Sequence, residues 1–254
     1  MKLEPNENKE ENQNDEMTVS EKQLRTPEEH RLEADLRTCD PSKVDRTRPM
    51  DRERANIMAT ELSEGFELLK KYSLAATFFG SARTNAHDEI YTDAVELSKK
   101  LSKSGFAIIS GGGGGIMEAA NKGAYEVGGD SIGLNITLPY EQTANDYTTE
   151  VQTFNYFFTR KVMLTFASEV YVYFPGGFGT LDEFFEILTL IQTHKIKKIP
   201  IILYGKSYWE PIDELIKSHL CEKFQAIDSE DSNLYTIVDS LEEAYSTILD
   251  QVRC

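Results

Sequence analysis

The sequence is organised around one stretch in which a strand, a glycine-rich turn and a helix follow one another. Residues 170–174 read Val-Tyr-Val-Tyr-Phe, a composition typical of a buried strand. Pro175, Gly176 and Gly177 come next, and from Leu181 onward apolar residues recur at helical spacing. Glycine lets a ligand approach bare backbone, and free N–H groups and the helix dipole meet at the start of a helix. The stretch therefore predicts a phosphate site.

Thr180 suits two roles in this turn. It is placed to cap the helix, with Glu183 three residues later completing a capping box, or to donate to a phosphate oxygen. A tight turn without any ligand accounts for the same glycines. The residues alone leave these interpretations open.

The stretch from Phe174 to Glu183 resembles the Pro-Gly-Gly-x-Gly-Thr-x-x-Glu signature of the LOG ("lonely guy") family, and every fixed position is matched. Members are often mislabelled "possible lysine decarboxylase". The resemblance covers about residues 74–250. It implies a phosphoribohydrolase that releases the base from AMP or, in cytokinin biosynthesis, from cytokinin nucleoside 5′-monophosphates, without a metal or organic cofactor. The predicted phosphate-binding residues are Gly176, Gly177, Gly179 and Thr180.

A second junction of this kind follows the first buried strand, residues 74–79. Gly80 and Ser81 resemble the family's Gly-Ser-Ser/Ala element, which implies that they line the nucleotide site. The Ser81 hydroxyl suits a phosphate or ribose oxygen, and Arg83 suits the phosphate. A turn glycine and a surface arginine are the alternative.

A third junction carries five consecutive glycines after the strand at residues 106–110. No frame of the run fits Gly-x-Gly-x-x-Gly, and no Gly-Lys-Ser/Thr follows, so neither the dinucleotide fingerprint nor the P-loop applies. The run resembles the family's Gly-Gly-Gly-x-Gly-(Ile/Leu)-Met segment. The resemblance implies that the loop backbone contacts the nucleotide and that Met117 lies near the base, although ordinary core packing explains Met117 equally. The glycines concerned are Gly112, Gly113, Gly114 and Gly115.

Residues 155–164 predict a helix that resembles the family's Arg-Lys-x-x-(Met/Leu) helix. The resemblance implies that Arg160 belongs to the active site, where it would hold the anionic or leaving-group side of the substrate. Lys161 is a predicted binding residue. A half-buried interface helix is the alternative.

Glu183 is the predicted catalytic carboxylate. Breaking the C1′–N9 bond places positive charge on the ribose, which a carboxylate can stabilise while it orients or deprotonates the attacking water. Asp182 points about 100° away around the helix and is the weaker candidate. Glu186 shares the face of Glu183 and could support it.

Strands near residues 74–79, 106–110, 131–136, 169–174 and 199–204 alternate with helices. This order predicts a Rossmann-like doubly wound parallel sheet with helices on both faces. The glycine junctions follow the first, second and fourth strands, at the carboxyl edge where such sheets bind ligands. We expect an irregular polar connection at 138–155 and a short edge strand at 234–238.

A helix is also expected from about residue 51. Its apolar residues recur at helical spacing and should face the core. They are Ile57, Met58, Leu62, Phe66 and Leu69.

Length and charge limit the remaining possibilities. The 254 residues, 40% of them hydrophobic, suffice for one domain with a tail. Residues 1–50 are expected to be an acidic, largely disordered extension, of which 1–25 are dispensable for folding, and 51–254 the nucleotide-binding hydrolase domain. The net charge of −16 argues against a nucleic-acid partner.

The cysteines and the hydropathy bear on location. Cys39, Cys221 and Cys254 show neither metal-ligand nor disulfide spacing. No apolar run approaches the length of a membrane span, and the N-terminus lacks a signal-peptide core. A soluble cytoplasmic protein is the expectation.

Two functions of different classes fit these features. One is hydrolysis of a nucleoside 5′-monophosphate; the other is non-catalytic carriage of a nucleotide or molybdenum cofactor, since molybdenum-cofactor carriers look similar. Arg160 and Glu183 favour the enzyme, because a carrier needs the glycine loops but not that pair. No lysine is marked for the Schiff base of a pyridoxal decarboxylase. Family resemblance and the apolar helices near 156–166 and 181–191 predict a homodimer or a higher homo-oligomer.

Overall fold

The computed structural model describes residues 51–138 and 144–252. The predicted N-terminal extension at 1–50, with Cys39, and the C-terminal Cys254 lie outside the described residues. By its contacts the chain divides after Arg52, and the fold below is that of the unit from Glu53 onward. Its first helix begins two residues earlier, at Asp51.

Strands and helices alternate along the described part of the chain. The strands are β1 (Ala75–Phe79), β2 (Ala107–Ser110), β3 (Ser131–Ile136), β4 (Glu150–Phe154), β5 (Val170–Tyr173), β6 (Ile201–Tyr204) and β7 (Thr236–Val238). The α-helices are α1 (Asp51–Leu69), α2 (Glu89–Lys103), α3 (Ile116–Glu126), α4 (Phe157–Phe166), α5 (Phe178–Gln192), α6 (Lys206–Glu214) and α7 (Leu241–Gln251). A π-helical segment, Leu215–Lys223, continues α6, and a 3₁₀ turn, Asp231–Asn233, precedes β7.

The seven strands form one parallel sheet in the order β4-β3-β2-β1-β5-β6-β7. The chain builds outward from β1 to one edge, returns to the middle at β5 and then builds to the other edge. This confirms the predicted doubly wound sheet. The direction in which strands are added reverses between β1 and β5. In such folds a crevice opens at this point, outside the carboxyl ends of the strands.

Both faces of the sheet are covered by helices. One apolar cluster joins the sheet to α1, α4, α5 and α6, and the other joins it to α2, α3 and α7. Successive residues of β5 serve opposite faces, because Tyr171 and Tyr173 enter the first cluster while Val170 and Val172 enter the second. Burial on both sides explains why the inner strands read as continuous apolar runs in the sequence.

The prediction of an irregular connection at 138–155 is wrong over its last third, where β4 forms an edge strand beside β3. Only Phe154 of this strand is buried, so the segment lacks the apolar run that marks the inner strands. Pairing with β3, rather than local propensity, makes it a strand. The short edge strand expected near 234–238 is confirmed as β7.

The predicted inward face of helix α1 is confirmed in part. Leu62 and Leu69 are partly buried and pack against the core, whereas Phe66 is 41% exposed and meets Phe166 with ring centroids 6.1 Å apart. The fully buried positions are Glu61, Gly65 and Leu68. At Gly65 the helix lies against α4, because a Cβ there would lie 2.3 Å from the sulfur of Met163. Within residues 51–138 and 144–252, no helix combines the length and apolarity that crossing a membrane requires.

Candidate active site

A cavity of about 780 Å³ opens where the carboxyl ends of β1 and β5 face each other. One wall is the loop at residues 80–84, and the other is residues 175–180 with Glu183. Met117 of α3, Arg160 of α4 and Tyr208 of α6 complete the lining. The cavity thus occupies the switch point of the sheet, where doubly wound folds bind ligands.

Ser81 ties the three glycine junctions together. Its backbone N–H donates to the carbonyl of Pro175 at 3.0 Å, and its own carbonyl accepts from the N–H of Ile116 at 3.0 Å. The Ser81 hydroxyl accepts from the N–H of Arg83, also at 3.0 Å. A Cβ on Gly115 would stand 2.2 Å from the Ser81 carbonyl oxygen. The three junctions therefore meet at one edge of the sheet, as their order in the sequence predicted.

The turn after β5 presents backbone to the cavity. Gly177 is the N-cap of α5 with a φ of −100°, and the first intrahelical bond runs from Leu181 N–H to its carbonyl. The N–H groups of the three residues between them have no partner within the helix. A Cβ on Gly177 or Gly179 would meet nothing within 4 Å, so both positions border open space.

Thr180 does not cap the helix. Because α5 begins at Phe178, Thr180 is its third residue, and the capping box with Glu183 is a wrong prediction. Its buried side chain instead fills the space beside Gly176, where a Cβ would lie 2.1 Å from the hydroxyl oxygen of Thr180. The Tyr208 hydroxyl donates to the Gly176 carbonyl at 2.8 Å, which anchors the turn from α6.

The five-glycine loop lies behind the cavity. Of the residues predicted there, Met117 lines the cavity, but the structure does not bring Gly112, Gly113, Gly114 or Gly115 into its wall. A Cβ on Gly111 would lie 2.1 Å from a guanidinium nitrogen of Arg160 and 2.5 Å from the sulfur of Met117. The loop thus leaves room for two lining side chains, and its contact with a nucleotide stays a prediction.

The backbone of this loop is held from the next connection. The Asn145 N–H donates to the Gly112 carbonyl at 2.9 Å, and the Asn145 side-chain amide donates to the Gly113 carbonyl at 3.0 Å. Gly112 has a φ of 71°, in the left-handed region that favours glycine. The loop therefore requires glycine at this position for its own conformation.

Arg160 stands in the first turn of α4. Its Nε donates to the carbonyl of Leu134 at 2.7 Å, which fixes the guanidinium beside the cavity. Burial lowers the pKa of Arg160, and the nearby carboxylate of Glu183 opposes this effect. Among the described residues no carboxylate lies within ion-pair distance of Arg160, so its charge is available to an anionic ligand.

Lys161 points elsewhere. Its Nζ pairs with the carboxylates of Asp182 at 2.9 Å and Glu186 at 3.1 Å, and it is absent from the cavity wall. These pairs join α4 to α5. Arg83, by contrast, lies in the wall but is exposed, at the rim of the cavity.

Glu183 is half-buried in the cavity wall. Burial raises the pKa of Glu183 to about 7, against the lowering effect of Arg160 and with a further raising effect from Asp182. A carboxyl group near its titration midpoint at neutral pH can both accept and return a proton. Asp182 is 61% exposed and paired with Lys161. Glu186, expected to support Glu183, also pairs with Lys161.

Five lining residues were not among the predicted site residues: Ala82, Thr84, Pro175, Phe178 and Tyr208. Tyr208 comes from α6, beyond β6, and no local pattern relates it to the glycine turn. Thr84 follows the predicted Gly80–Arg83 element directly, so extending that element by one residue would have included it. Phe178 lies within the signature but at its variable position, and its side chain is 94% exposed at the mouth of the cavity.

The fold and the cavity define a Rossmann-like α/β protein with a cavity at the switch point of its sheet. Residues 117–248, just over half of the chain, match the family model described as "Possible lysine decarboxylase". The chain therefore belongs to this family, which is the LOG family that its signature resembles.

Named relatives agree with the assignment. The cytokinin riboside 5′-monophosphate phosphoribohydrolase LOG of Oryza sativa subsp. japonica is 28% identical over 167 residues, covering 64% of this chain and 68% of the relative. A probable phosphoribohydrolase of the same kind and species is 30% identical over 125 residues, covering 48% of this chain and 58% of the relative. The molybdenum cofactor carrier protein of Chlamydomonas reinhardtii shares the fold, with a TM-score of 0.52, 22% identity and coverage of 70% of this chain and 97% of that one.

Proposed function

We propose that the protein hydrolyses the N-glycosidic bond of a nucleoside 5′-monophosphate, releasing the free base and ribose 5-phosphate. AMP and cytokinin riboside 5′-monophosphates are the proposed substrates, the latter in line with the names of the rice relatives. The observation that carries the proposal is that a glycine turn at a helix N-terminus and a carboxyl group with a pKa of about 7 share one helix and one cavity wall.

The 5′-phosphate binds at the start of α5. The N–H groups of the first turn and the positive end of the helix dipole attract the anion. Gly177 and Gly179 leave the approach open, since a side chain at either position would enter the cavity. Ser81 and Arg83, in the loop that forms the opposite wall, complete the phosphate site.

Glu183 lies about one helical turn further along the same wall, and in this proposal it stands beside the ribose. As the C1′–N9 bond breaks, its carboxylate stabilises the positive charge that develops on the sugar. A water molecule then attacks C1′, giving one proton to Glu183 and retaining one as the hydroxyl of ribose 5-phosphate. The proton taken up by Glu183 then passes to the nitrogen of the departing base, which restores the carboxylate.

Arg160 fixes the pose of the substrate. Its Nε is held by the Leu134 carbonyl, so its remaining donors are directed by a rigid attachment rather than by a flexible chain. Its charge also keeps the pKa of Glu183 from rising further, which maintains a population of carboxylate at neutral pH.

The alternative, a carrier of molybdenum cofactor, is supported by fold alone. It explains the cavity and the glycine turns, but it gives no role to a half-buried carboxyl group with a pKa of about 7. We favour the enzyme for this reason.

We further propose that the protein forms a homodimer or a higher homo-oligomer. Phe157, Phe158 and Phe166 are all more than half exposed on α4, a larger apolar surface than one helix of a monomer usually presents to water. Light scattering at micromolar concentration should report at least a dimer, and a monomer would contradict the proposal.

The test of function is incubation of the pure protein with AMP, a cytokinin riboside 5′-monophosphate, other nucleoside monophosphates and adenosine, following ribose 5-phosphate or ribose. Release from a nucleoside monophosphate by wild type, but not by Glu183→Gln, is the expected result. Tight binding of a nucleotide without product would favour the carrier. Cleavage of adenosine as fast as AMP would contradict the phosphate seat.

A further inference from the structure

Helix α1 carries a buried carboxylate, that of Glu61, which does not line the cavity. Among the described residues, its hydrogen-bond partners are neither acidic nor basic. Glu61 is 5% exposed. Its Oε1 accepts from the backbone N–H of Asn155 at 2.6 Å and from the Asn155 side-chain amide at 2.9 Å. Its Oε2 accepts from the hydroxyl of Thr159. The family match begins at residue 117, so Glu61 lies outside it.

These contacts hold the start of the helix that carries Arg160. Asn155 and Thr159 flank Tyr156, the N-cap of α4, whose carbonyl accepts the Arg160 N–H at 3.2 Å. Tyr156 gives α4 no side-chain cap. A carboxylate from another helix therefore satisfies donors at this N-terminus and also complements its dipole.

The position of Glu61 is itself fixed. Its backbone carbonyl accepts from the Gln152 side chain at 3.0 Å, and Gly65, one turn later, brings α1 against Met163 of α4. Because α1 is anchored in this way, the Glu61 carboxylate cannot shift together with the first turn of α4. It therefore holds that turn in place against the sheet, where the Arg160 Nε donates to the Leu134 carbonyl.

We propose that Glu61 is a positioning residue, which aligns Arg160 with the cavity by fixing the first turn of α4. Glu61→Ala would leave two donors of Asn155 without their acceptor, and the hydroxyl of Thr159 with only the Tyr156 carbonyl, 2.9 Å away. The turn then frays, and Arg160 loses its bond to Leu134. Glu61→Gln keeps an acceptor for Asn155, while its amide can donate to Thr159, and should restore the alignment.

The direct test observes the Nε–H resonance of Arg160 in ¹⁵N-labelled full-length protein, assigned by its loss in Arg160→Lys. Loss of the Glu61 contacts should speed the exchange of the Arg160 Nε–H with solvent about tenfold. That factor corresponds to roughly 1.4 kcal/mol, about the contribution of one hydrogen bond. Glu61→Gln should stay near wild type. Thr159→Val, which removes one contact at nearly constant shape, should fall between them and serves if Glu61→Ala does not fold.

Tyr72→Phe is the matched control. It removes a 2.6 Å bond from the residue shortly after α1 to Glu150 of β4, without touching α4. Unchanged Arg160 exchange in both Glu61→Ala and Thr159→Val would overturn the proposal. So would an equal change in Tyr72→Phe, because the effect would then be general loosening.

A second measurement rests on the proposed function. In calorimetry, Glu61→Ala should weaken binding of ribose 5-phosphate about tenfold, which corresponds to about one hydrogen bond. In an Arg160→Ala background, the same substitution should cause no further loss of affinity. An additive loss would overturn the proposal. If wild type cleaves no nucleotide while Arg160 exchange still responds to Glu61, the proposed function fails and the positioning role stands.

Discussion

Replacing Glu183 by Gln should make the protein much less active and, above neutral pH, more stable. The substitution keeps the shape of the side chain and removes its charge. Wild type holds that charge in the cavity wall, where burial raises the pKa of Glu183 from 4.5 to about 7. The same burial that prepares the group for catalysis therefore costs the folded state stability whenever the group is ionised.

The magnitude follows from the two pKa values. At about 1.4 kcal/mol for each tenfold change in proton affinity, the difference corresponds to about 3 kcal/mol. Below about pH 4.5 the group is protonated in folded and unfolded chains alike, so the penalty is absent. Stability is lost as the pH rises from there, and the loss is complete above about pH 7, so the full difference from Glu183→Gln belongs near pH 8.

The assay is chemical or thermal unfolding at about pH 4.5 and pH 8. Glu183→Gln should exceed wild type at pH 8 by up to about 3 kcal/mol, or up to roughly 10 °C in Tm, and match it at the lower pH. Asp182→Asn is the control. Its ion pair with Lys161 contributes about 0–1 kcal/mol, and the loss of that pair is partly offset because Asp182 raises the pKa of Glu183, so this variant should change little.

Turnover is measured on the same samples. The carboxylate is the active form, so wild-type turnover should rise with pH and level off above about 7. Glu183→Gln should lose about 10²-fold or more while still binding nucleotide. A Gln variant that is less stable than wild type at pH 8 would refute the burial argument. One that turns over at near wild-type rate would refute the catalytic role.

Four other substitutions test the cavity. Gly177→Ala should fold normally, because φ at this residue is negative and the added Cβ meets no atom within 4 Å, but it should raise KM for AMP about tenfold or more. Gly176→Ala, whose Cβ clashes with Thr180, should instead lower the free energy of unfolding by about 1–3 kcal/mol. Arg160→Ala should lower kcat/KM and move the pH midpoint of residual activity upward, since Arg160 lowers the pKa of Glu183. Tyr208→Phe should weaken AMP binding about fivefold, for roughly 1 kcal/mol, and leave binding of adenosine unchanged in calorimetry.

Much of the fold was predictable because its signals are local. The inner strands read as apolar runs, and each glycine junction follows one of them, so the alternation of strands with helices and the carboxyl-edge placement of the junctions come from sequence alone. β4 escaped prediction because an edge strand with one buried residue carries little apolar signal. The inward face of α1 was predicted correctly for Leu62 and Leu69 but not for Phe66, because Gly65, which carries no apolar signal, marks the contact with α4.

The site divides in the same way. The glycine turn and Glu183 at the start of α5 were predictable from the sequence, because residues within one helix have a fixed spacing. The inward packing of Thr180, the pairing of Lys161 with α5 and the location of the five-glycine loop behind the cavity depend on tertiary packing. It alone brings Tyr208 to Gly176 and Glu61 to the start of α4. Contacts between residues far apart in the chain depend on how helices pack on the sheet, and no local pattern encodes that packing.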